Sequence, residues 1–299
     1  MKNIKEILLR KAVKAGQFTG LIKSKVMKRL GRDLIKTILP KEIEIKVGNN
    51  SRMVINPKEA YYLLGYEEHE PLVSSIIIKS LREGDVFIDI GAYIGYYSLL
   101  AREVVGVSGK VIAFEPHPEN YKKLVRNIHL NAYTNIVPEN IAISDKRERL
   151  KLFLGINPST HSIIERSPNN VSSDEFFEVE AISLDEYLDG RNIVPNVIKM
   201  DVEGAELKIL SGMKKTIRSY HPTMIIEVHP LHLGKKGVKI LLETLKDHGY
   251  RLFKVQEEGL SEGSVNDLYE FCEKTHFNKY GTEINPFILA CVRKLYEKE

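Results

Sequence analysis

An α/β fold, with a mostly parallel sheet covered by helices on both faces, is the architecture this sequence predicts. Three observations carry it. From Val86 onward, short apolar runs alternate with longer segments of helical character, which is the pattern of a parallel sheet with helical crossovers. The first run, Val86-Phe87-Ile88-Asp89, passes through a glycine-containing turn, Ile90 to Gly95, into a helix. Acids recur at the ends of these runs, at Asp89, Glu115, Asp201, Glu203 and Glu227, and ligands of open α/β sheets bind outside the carboxyl ends of the strands.

The elements follow in order. Residues 1–40 read as a basic, amphipathic helical extension. Ile22, Val26, Leu30 and Leu34 recur every fourth residue, and Lys23, Lys25, Lys28, Arg29, Arg32 and Lys36 fill the remaining face. Such a helix either packs its apolar stripe on the main domain or rests on an anionic membrane. A peripheral membrane contact through residues 1–39 is the second of these readings. Residues 42–47 alternate strictly, Gly48-Asn49-Asn50 is a turn, and Arg52 to Asn56 is a second short run. That is a β-hairpin, and with a helix over 72–81 it forms a unit spanning 41–83. Residues 84–299 then form the main domain. Its strands are expected at 86–89, 110–114, 136–143, 196–200, 223–228, 251–255 and 287–292. Its helices are expected at 94–104, 118–130, from Ala205, and at 237–248. An insertion at 144–184 interrupts the alternation, with strands at 149–154 and 176–182 around a polar loop, 155–174. A loop of that length inside a compact domain is often functional.

Composition narrows the class. The chain has 299 residues, 43% apolar and 28% charged, as globular domains do. No apolar run nears the ~20 residues needed to cross a bilayer. The start, Met1-Lys2-Asn3-Ile4-Lys5-Glu6, has no secretory core. Cys272 and Cys291 are too few for a disulfide scaffold and lack zinc-ligand spacing. A cytoplasmic setting is expected. Residues 1–41 carry twelve Lys or Arg against Glu6 and Asp33, so that stretch is +10 and the remainder −6 within a net charge of +4. The basic start suits an anionic surface.

The motif at the first strand is Asp-x-Gly-x-x-x-Gly, from Asp89 through Gly91 to Gly95. A dinucleotide site would need Gly-x-Gly-x-x-Gly and helix-end amides free for a pyrophosphate. An acid at that strand end repels a pyrophosphate. It suits a cationic ligand, such as the ammonium and sulfonium groups of S-adenosylmethionine. Gly91 allows a tight turn and close approach to a ligand, and Gly95 lets the helix pack near the strand. Glu115, about 20 residues after Gly95, lies where a carboxylate can accept from two ribose hydroxyls. A nicotinamide-dependent oxidoreductase is excluded by the missing phosphate loop.

A second strand-turn-helix runs from Asn196 to Glu206, through Lys199-Met200-Asp201-Val202-Glu203-Gly204-Ala205-Glu206. With both motifs in view, the chain resembles the FkbM-type methyltransferase family. The matching pieces are Asp89-Ile90-Gly91-Ala92 through Gly95, Ala113-Phe114-Glu115-Pro116, Asn127 to Asn131, Ile198 to Glu206, and Ile226-Glu227. The resemblance covers about residues 84–230. Tyr93 stands where family members often have Asn. The resemblance implies a Rossmann-like methyltransferase fold with a seven-stranded sheet and S-adenosylmethionine as cofactor. Asp89, Gly91, Ala92, Tyr93 and Gly95 would then surround its methionine part. Glu115, with Pro116, would hold the ribose. Ala142 and Ile143 would flank the adenine, and Asp201 would face the methyl group. It also implies a hydroxyl acceptor on a sugar, glycolipid or other small molecule.

Methyl transfer to a hydroxyl is an in-line displacement that needs alignment and removal of a proton. Asp201, Glu203, Glu206, Glu227, His229 and His161 are the candidates. His229 lies two residues after Glu227, on the same face of a continuing strand, and has the natural pKa of a base. His161, in the long loop, would reach an open cleft. The competing reading for both histidines is structural or solvated. Asp201, Glu203, Glu227 and His229 would also suit a hard divalent cation that binds the acceptor hydroxyl; otherwise these acids bond loop amides and helix ends. A nucleic-acid (RNA) methyltransferase fits the basic charge, yet that charge sits at the N-terminus and the Asn/Asp-Pro-Pro-Tyr/Phe motif is absent, so nucleic acid is not the expected partner. A non-catalytic cofactor-binding module would have no need of acids at Asp201 and Glu227.

Overall fold

The computed structural model describes residues 41–56, 59, 70–155, 159–164, 175–256, 259–276 and 287–292. The helical extension expected over 1–40 and the centre of the insertion loop lie outside the described residues. The expected hairpin is β1 (Ile43–Val47) and β2 (Ser51–Ile55), antiparallel with Ile43 opposite Ile55. Helix α1 (Pro71–Ser80) follows, then β3 (Val86–Ile90), α2 (Tyr96–Val105), β4 (Lys110–Phe114), α3 (Pro118–Leu130) and β5 (Ile136–Glu139). Strands β6 (Ala142–Ser144), β7 (Glu148–Phe153) and β8 (Phe176–Ser183) and the short α4 (Leu184–Leu188) form the insertion. The chain ends through β9 (Val197–Met200), α5 (Glu206–Ser211), α6 (Lys214–Tyr220), β10 (Thr223–Val228), α7 (Pro230–Asp247), β11 (Arg251–Gln256), β12 (Gly259–Glu262), α8 (Val265–His276) and β13 (Phe287–Val292).

The main sheet has the order β12-β11-β13-β10-β9-β3-β4-β5. Strands β5, β4, β3, β9 and β10 are parallel; β13 is antiparallel to both β10 and β11. The sheet has eight strands, one more than expected. The additional strand, β12, pairs antiparallel with β11 at the edge. Gly259-Leu260-Ser261-Glu262 is largely exposed, so backbone hydrogen bonds make the strand, and apolar periodicity gives no sign of it. The strand expected over 136–143 is broken in two. β5 pairs with β4, whereas β6 pairs with β8 in a separate three-stranded sheet of order β6-β8-β7. At the break, Asn140 Nδ2 donates to the carbonyls of Glu115 (2.8 Å) and Pro116 (3.0 Å).

Alternation along the strands sorts the core into two layers. Ile88, Ile90, Ile112, Phe114, Ile198, Met200, Met224 and Ile226 face one buried cluster with residues of α5 to α8. Phe87, Val111, Ala113, Val197 and Ile225 face the other, with the hairpin, α1, α2 and α3. The Asn127 to Asn131 segment fastens the hairpin to this second layer. Asn127 Oδ1 accepts from the Val54 amide and its Nδ2 donates to the Ile94 carbonyl, both at 2.9 Å. Asn131 exchanges two bonds of 2.7 Å with the Arg52 backbone.

The topology positions the site. From β3 the chain builds outward through β4 to β5, then returns to place β9 on the other side of β3. The strand order therefore reverses between β3 and β9. Open α/β sheets take their ligands outside the carboxyl ends of the strands at such a reversal. Asp89 in β3 and Asp201 just after β9 stand on the two strands between which the order reverses.

Candidate active site

On the layer that holds Phe87, Val197 and Ile225, the next inward positions are Asp89, Lys199 and Glu227. On each strand an apolar residue is thus followed on the same face by an ionic one. Asp89 and Lys199 are direct cross-strand partners. Lys199 is buried, with Nζ 3.4 Å from Asp201 Oδ2 and 3.9 Å from Asp89 Oδ1. Burial alone would strip its proton, but Asp201 and Asp89 more than offset that and hold it charged. It also lies 5.0 Å from the centre of the Tyr97 ring, and the Tyr97 hydroxyl donates to Glu70. Asp89 is fully buried. Its Oδ2 accepts from Ser98 Oγ at 2.7 Å, and its Oδ1 has no hydrogen bond. Burial pushes its carboxyl up, against the pull of Lys199 and Ser98.

The turn after β3 is set by close approach. A Cβ on Gly91 would lie 1.9 Å from the Asp201 carbonyl oxygen, and its φ is 80°. The glycine therefore lets two strand ends meet, and its near neighbour is Asp201 rather than open ligand space. Gly95, with φ 96°, starts α2; a Cβ there would come within 2.7 Å of Leu124 of α3. Ala92 is buried, with its amide on the Phe114 carbonyl at 2.9 Å. Tyr93 has φ 52°, a left-handed conformation that Asn tolerates better. That is the physical sense of the Asn seen at this position in the resembling family.

Glu115 ends β4 almost wholly buried. Its Oε2 accepts the Tyr93 amide and its Oε1 the His117 amide, each at 2.9 Å. Burial pushes its carboxyl up to about 8, against these two bonds. Pro116 continues into the loop fastened by Asn140. Ala142 and Ile143 are buried on β6, paired with Ala181 and Ile182 of the insertion sheet rather than lying at the end of a main-sheet strand.

The second motif gathers a cluster. Glu206, in the first turn of α5, is fully buried. Its Oε1 lies 2.6 Å from His229 Nδ1 and accepts the His229 amide at 3.2 Å. This fixes the imidazole with Nε2 toward the carboxylates: Glu203 at 3.6 Å, Asp201 Oδ1 at 3.9 Å and Glu227 at 3.9 Å. Burial would lower the His229 pKa, but the bond to Glu206 and the surrounding carboxylates push it up to about 10. Burial would raise Asp201, yet Lys199 and His229 hold it below its ordinary value. Glu227 is pushed well up by burial and by Asp201. Oxygens of Asp201 and Glu227 and a nitrogen of His229 all lie within 4.8 Å of one another. Glu203 stands on a turn with φ 49°, followed by Gly204 at φ 103°.

His161 is not part of this cluster. Its ring stacks on His117, centroids 4.1 Å apart, and its Nδ1 accepts the Gly155 amide at 3.0 Å. Burial, then His117, lowers its pKa to about 4. Lys199, Asn140, Ser162 and the orienting role of Glu206 went unassigned from sequence. The one available signal was parity: Lys199 and Asp201 are two residues apart and so share a face.

A family pattern, the methyltransferase FkbM domain, matches residues 89–252, more than half of the chain. The chain belongs to the FkbM methyltransferase family. It is similar to the hexuronic acid methyltransferase AglP of Haloferax volcanii, at 27% identity over 66% of this chain and 77% of that one. It is also similar to the 31-O-demethyl-FK506 methyltransferase FkbM of Streptomyces tacrolimicus, at 26% identity over 59% and 76%. A solved FkbM methyltransferase from Methylobacillus flagellatus overlays with TM-score 0.43 at 15% identity, covering 89% of this chain and 59% of that one. As an FkbM protein the chain is an S-adenosylmethionine-dependent methyltransferase. Its residues fit that cofactor. Asp89 Oδ1 is a buried carboxylate oxygen with no hydrogen bond, and acids outnumber cations around the switch point, as a positively charged ligand requires. Among the described residues, no helix is long and apolar enough to cross a membrane.

Proposed function

We propose that this FkbM methyltransferase methylates a hydroxyl oxygen on a sugar, glycolipid or other small molecule. The acid-rich tier at the switch point carries the reading. Asp89, Lys199, Asp201, Glu203, Glu206, Glu227 and His229 meet where the family's cofactor would lie, and an acceptor atom that is itself ionised would be repelled there. A neutral hydroxyl is admitted, and the similarity to a hexuronic acid methyltransferase supports a glycan that bears one.

S-adenosylmethionine supplies an electrophilic methyl group. In our reading Asp89 holds its ammonium, with Ala92, Tyr93 and the turn from Gly91 to Gly95 around the methionine part. Glu115, beside Pro116, holds the ribose, and Ala142 and Ile143 border the adenine. Asp201 takes the acceptor proton. An acceptor hydroxyl placed against that methyl group would become far more acidic as it reacts, so an ordinary carboxylate at Asp201 would suffice as base. Lys199 keeps Asp201 ionised. His229, held by Glu206, faces Glu203 and Glu227.

A divalent cation on Asp201, Glu227 and His229 is a second reading, favoured by the spacing of their ligand atoms. It would bind the acceptor hydroxyl and acidify it directly. The basic residues of 1–39 would bring the enzyme to an anionic membrane that displays a lipid-linked acceptor; co-sedimentation with anionic vesicles at low salt checks this.

The test is methyl transfer from labelled S-adenosylmethionine to neutral sugars, hexuronic acid oligosaccharides and lipid-linked glycans, with cofactor affinity measured separately by calorimetry. An alkali-stable methyl ether on a sugar supports the reading. An alkali-labile ester moves the acceptor atom to a carboxylate, and no cofactor binding sinks the reading. Turnover unchanged by EDTA removes the cation; turnover lost and restored by Mn²⁺ adopts it.

A further inference from the structure

The insertion touches both motif loops through two consecutive residues. His161 stacks on His117, whose amide is bonded to the Glu115 carboxylate. Ser162 reaches the other side. It is fully buried, and its Oγ donates to the carbonyl of Glu203 at 2.6 Å while accepting the Ile164 amide at 3.0 Å. Its own backbone is fixed by two bonds to Phe153 at the end of β7, at 2.8 and 3.1 Å. The hydroxyl is therefore aimed by a strand and has little freedom to turn away.

What it holds is a strained turn. Glu203 is left-handed without being glycine, with φ 49°, and Gly204 follows at φ 103°. Such backbone persists only where its surroundings over-determine it. Two contacts on opposite sides contribute to this. A Cβ on Gly204 would come within 2.5 Å of His232 Cβ, so α7 closes on one side of the turn. Ser162 holds the carbonyl from the other. In that conformation the Glu203 carboxylate reaches 3.6 Å from His229 Nε2.

We propose that Ser162 is a positioning residue of the methyl-transfer site, through which the insertion sets the Glu203 turn. The inference rests on the methyl-transfer reading and adds a dependence that the two motifs do not contain. The carboxylate beside the reacting centre takes its place from a segment lying between the motifs in sequence. Acceptor bound against the insertion would thereby be coupled to the geometry of the acid cluster.

The experiment compares the full-length protein with Ser162→Ala and Ser162→Cys. Hydrogen exchange over residues 201–206, S-adenosylmethionine affinity by calorimetry, and kcat and KM with a hexuronic acid oligosaccharide are read in each. The expected result for Ser162→Ala is faster exchange confined to 201–206, cofactor affinity within twofold of the parent, and kcat at least tenfold lower at little-changed KM. Ser162→Cys, similar in size and a weaker donor, falls between. Unchanged exchange and kcat overturn the proposal. So does a loss of kcat that arrives with equal loss of cofactor affinity and of melting temperature, because that marks Ser162 as general support for the fold. If the parent protein transfers no methyl to any acceptor, the functional reading fails on its own, and exchange with calorimetry still decides whether Ser162 holds the turn.

Discussion

Burial raises the Glu115 carboxyl, even though two amides point at it. Its folded pKa of about 8 stands above the ordinary 4.5. A raised acid means that the folded state binds the proton more tightly than the unfolded chain. Stability from this group is full below about pH 4.5 and is lost as pH rises toward 8. The melting temperature of the cofactor-free protein should therefore fall across that window by more than in Glu115→Gln, which cannot ionise; parallel curves for the two would show Glu115 to be already charged. Lys199 makes the opposite case. Lys199→Met leaves the buried Asp89 and the half-buried Asp201 without their cation. Breaking a buried pair from one side costs about 3–5 kcal/mol, so denaturant unfolding should show a loss of that size and S-adenosylmethionine binding should weaken. Gly91→Ala meets the Asp201 carbonyl at a distance no side chain tolerates. It should separate β3 from β9 at the site and abolish cofactor binding.

The same logic at the level of elements explains why the asparagines of α3 belong with the motif. Asn127 joins three pieces: the helix, the hairpin through Val54, and the cofactor turn through Ile94. Asn127→Ala leaves a buried carbonyl and an amide without their partner, at about 1–3 kcal/mol for each. Urea unfolding should show that loss, and cofactor affinity should fall with it because the turn loses an anchor. A stability cost without any change in affinity would mean that the hairpin, and not the turn, depends on it. The insertion shows the limit of reading elements singly. Its two strands were visible in the sequence, but its pairing with β6 was not. A three-residue strand carries no periodicity of its own, and only the presence of β8 beside it makes it a strand.

For the molecule as a whole, the hairpin is part of the main core and not an appendage. Ile45, Val47, Met53 and Ile55 are buried in one cluster with Phe87, Leu99 and Val111. Burying four such side chains contributes roughly 6–12 kcal/mol by transfer energies, comparable to the whole stability of a domain. A chain lacking residues 41–56 should therefore fail to fold or should aggregate on expression, as gel filtration would show; a monomeric, cofactor-binding product would prove 84–299 independent of it. The eight-stranded order then does one thing no element does alone. By reversing between β3 and β9 it brings Asp89 and Asp201, distant in sequence, to neighbouring strand ends.

The sequence by itself determined the fold class, the hairpin, the positions of the main strands and helices, and the acids that end the strands. These follow from local periodicity and from glycine-bearing turns, both written in neighbouring residues. The residues proposed to hold the cofactor could be named for the same reason, since Asp89, Gly91, Gly95 and Glu115 are spaced along one strand-turn-helix and the next strand end. Only the tertiary structure decided how those residues meet. It placed Lys199 between two acids, turned Glu206 from a candidate base into the support of His229, moved His161 onto His117, and split the strand before Ala142. Each of these depends on a contact across many residues, where burial and charge act on groups that no spacing rule brings together.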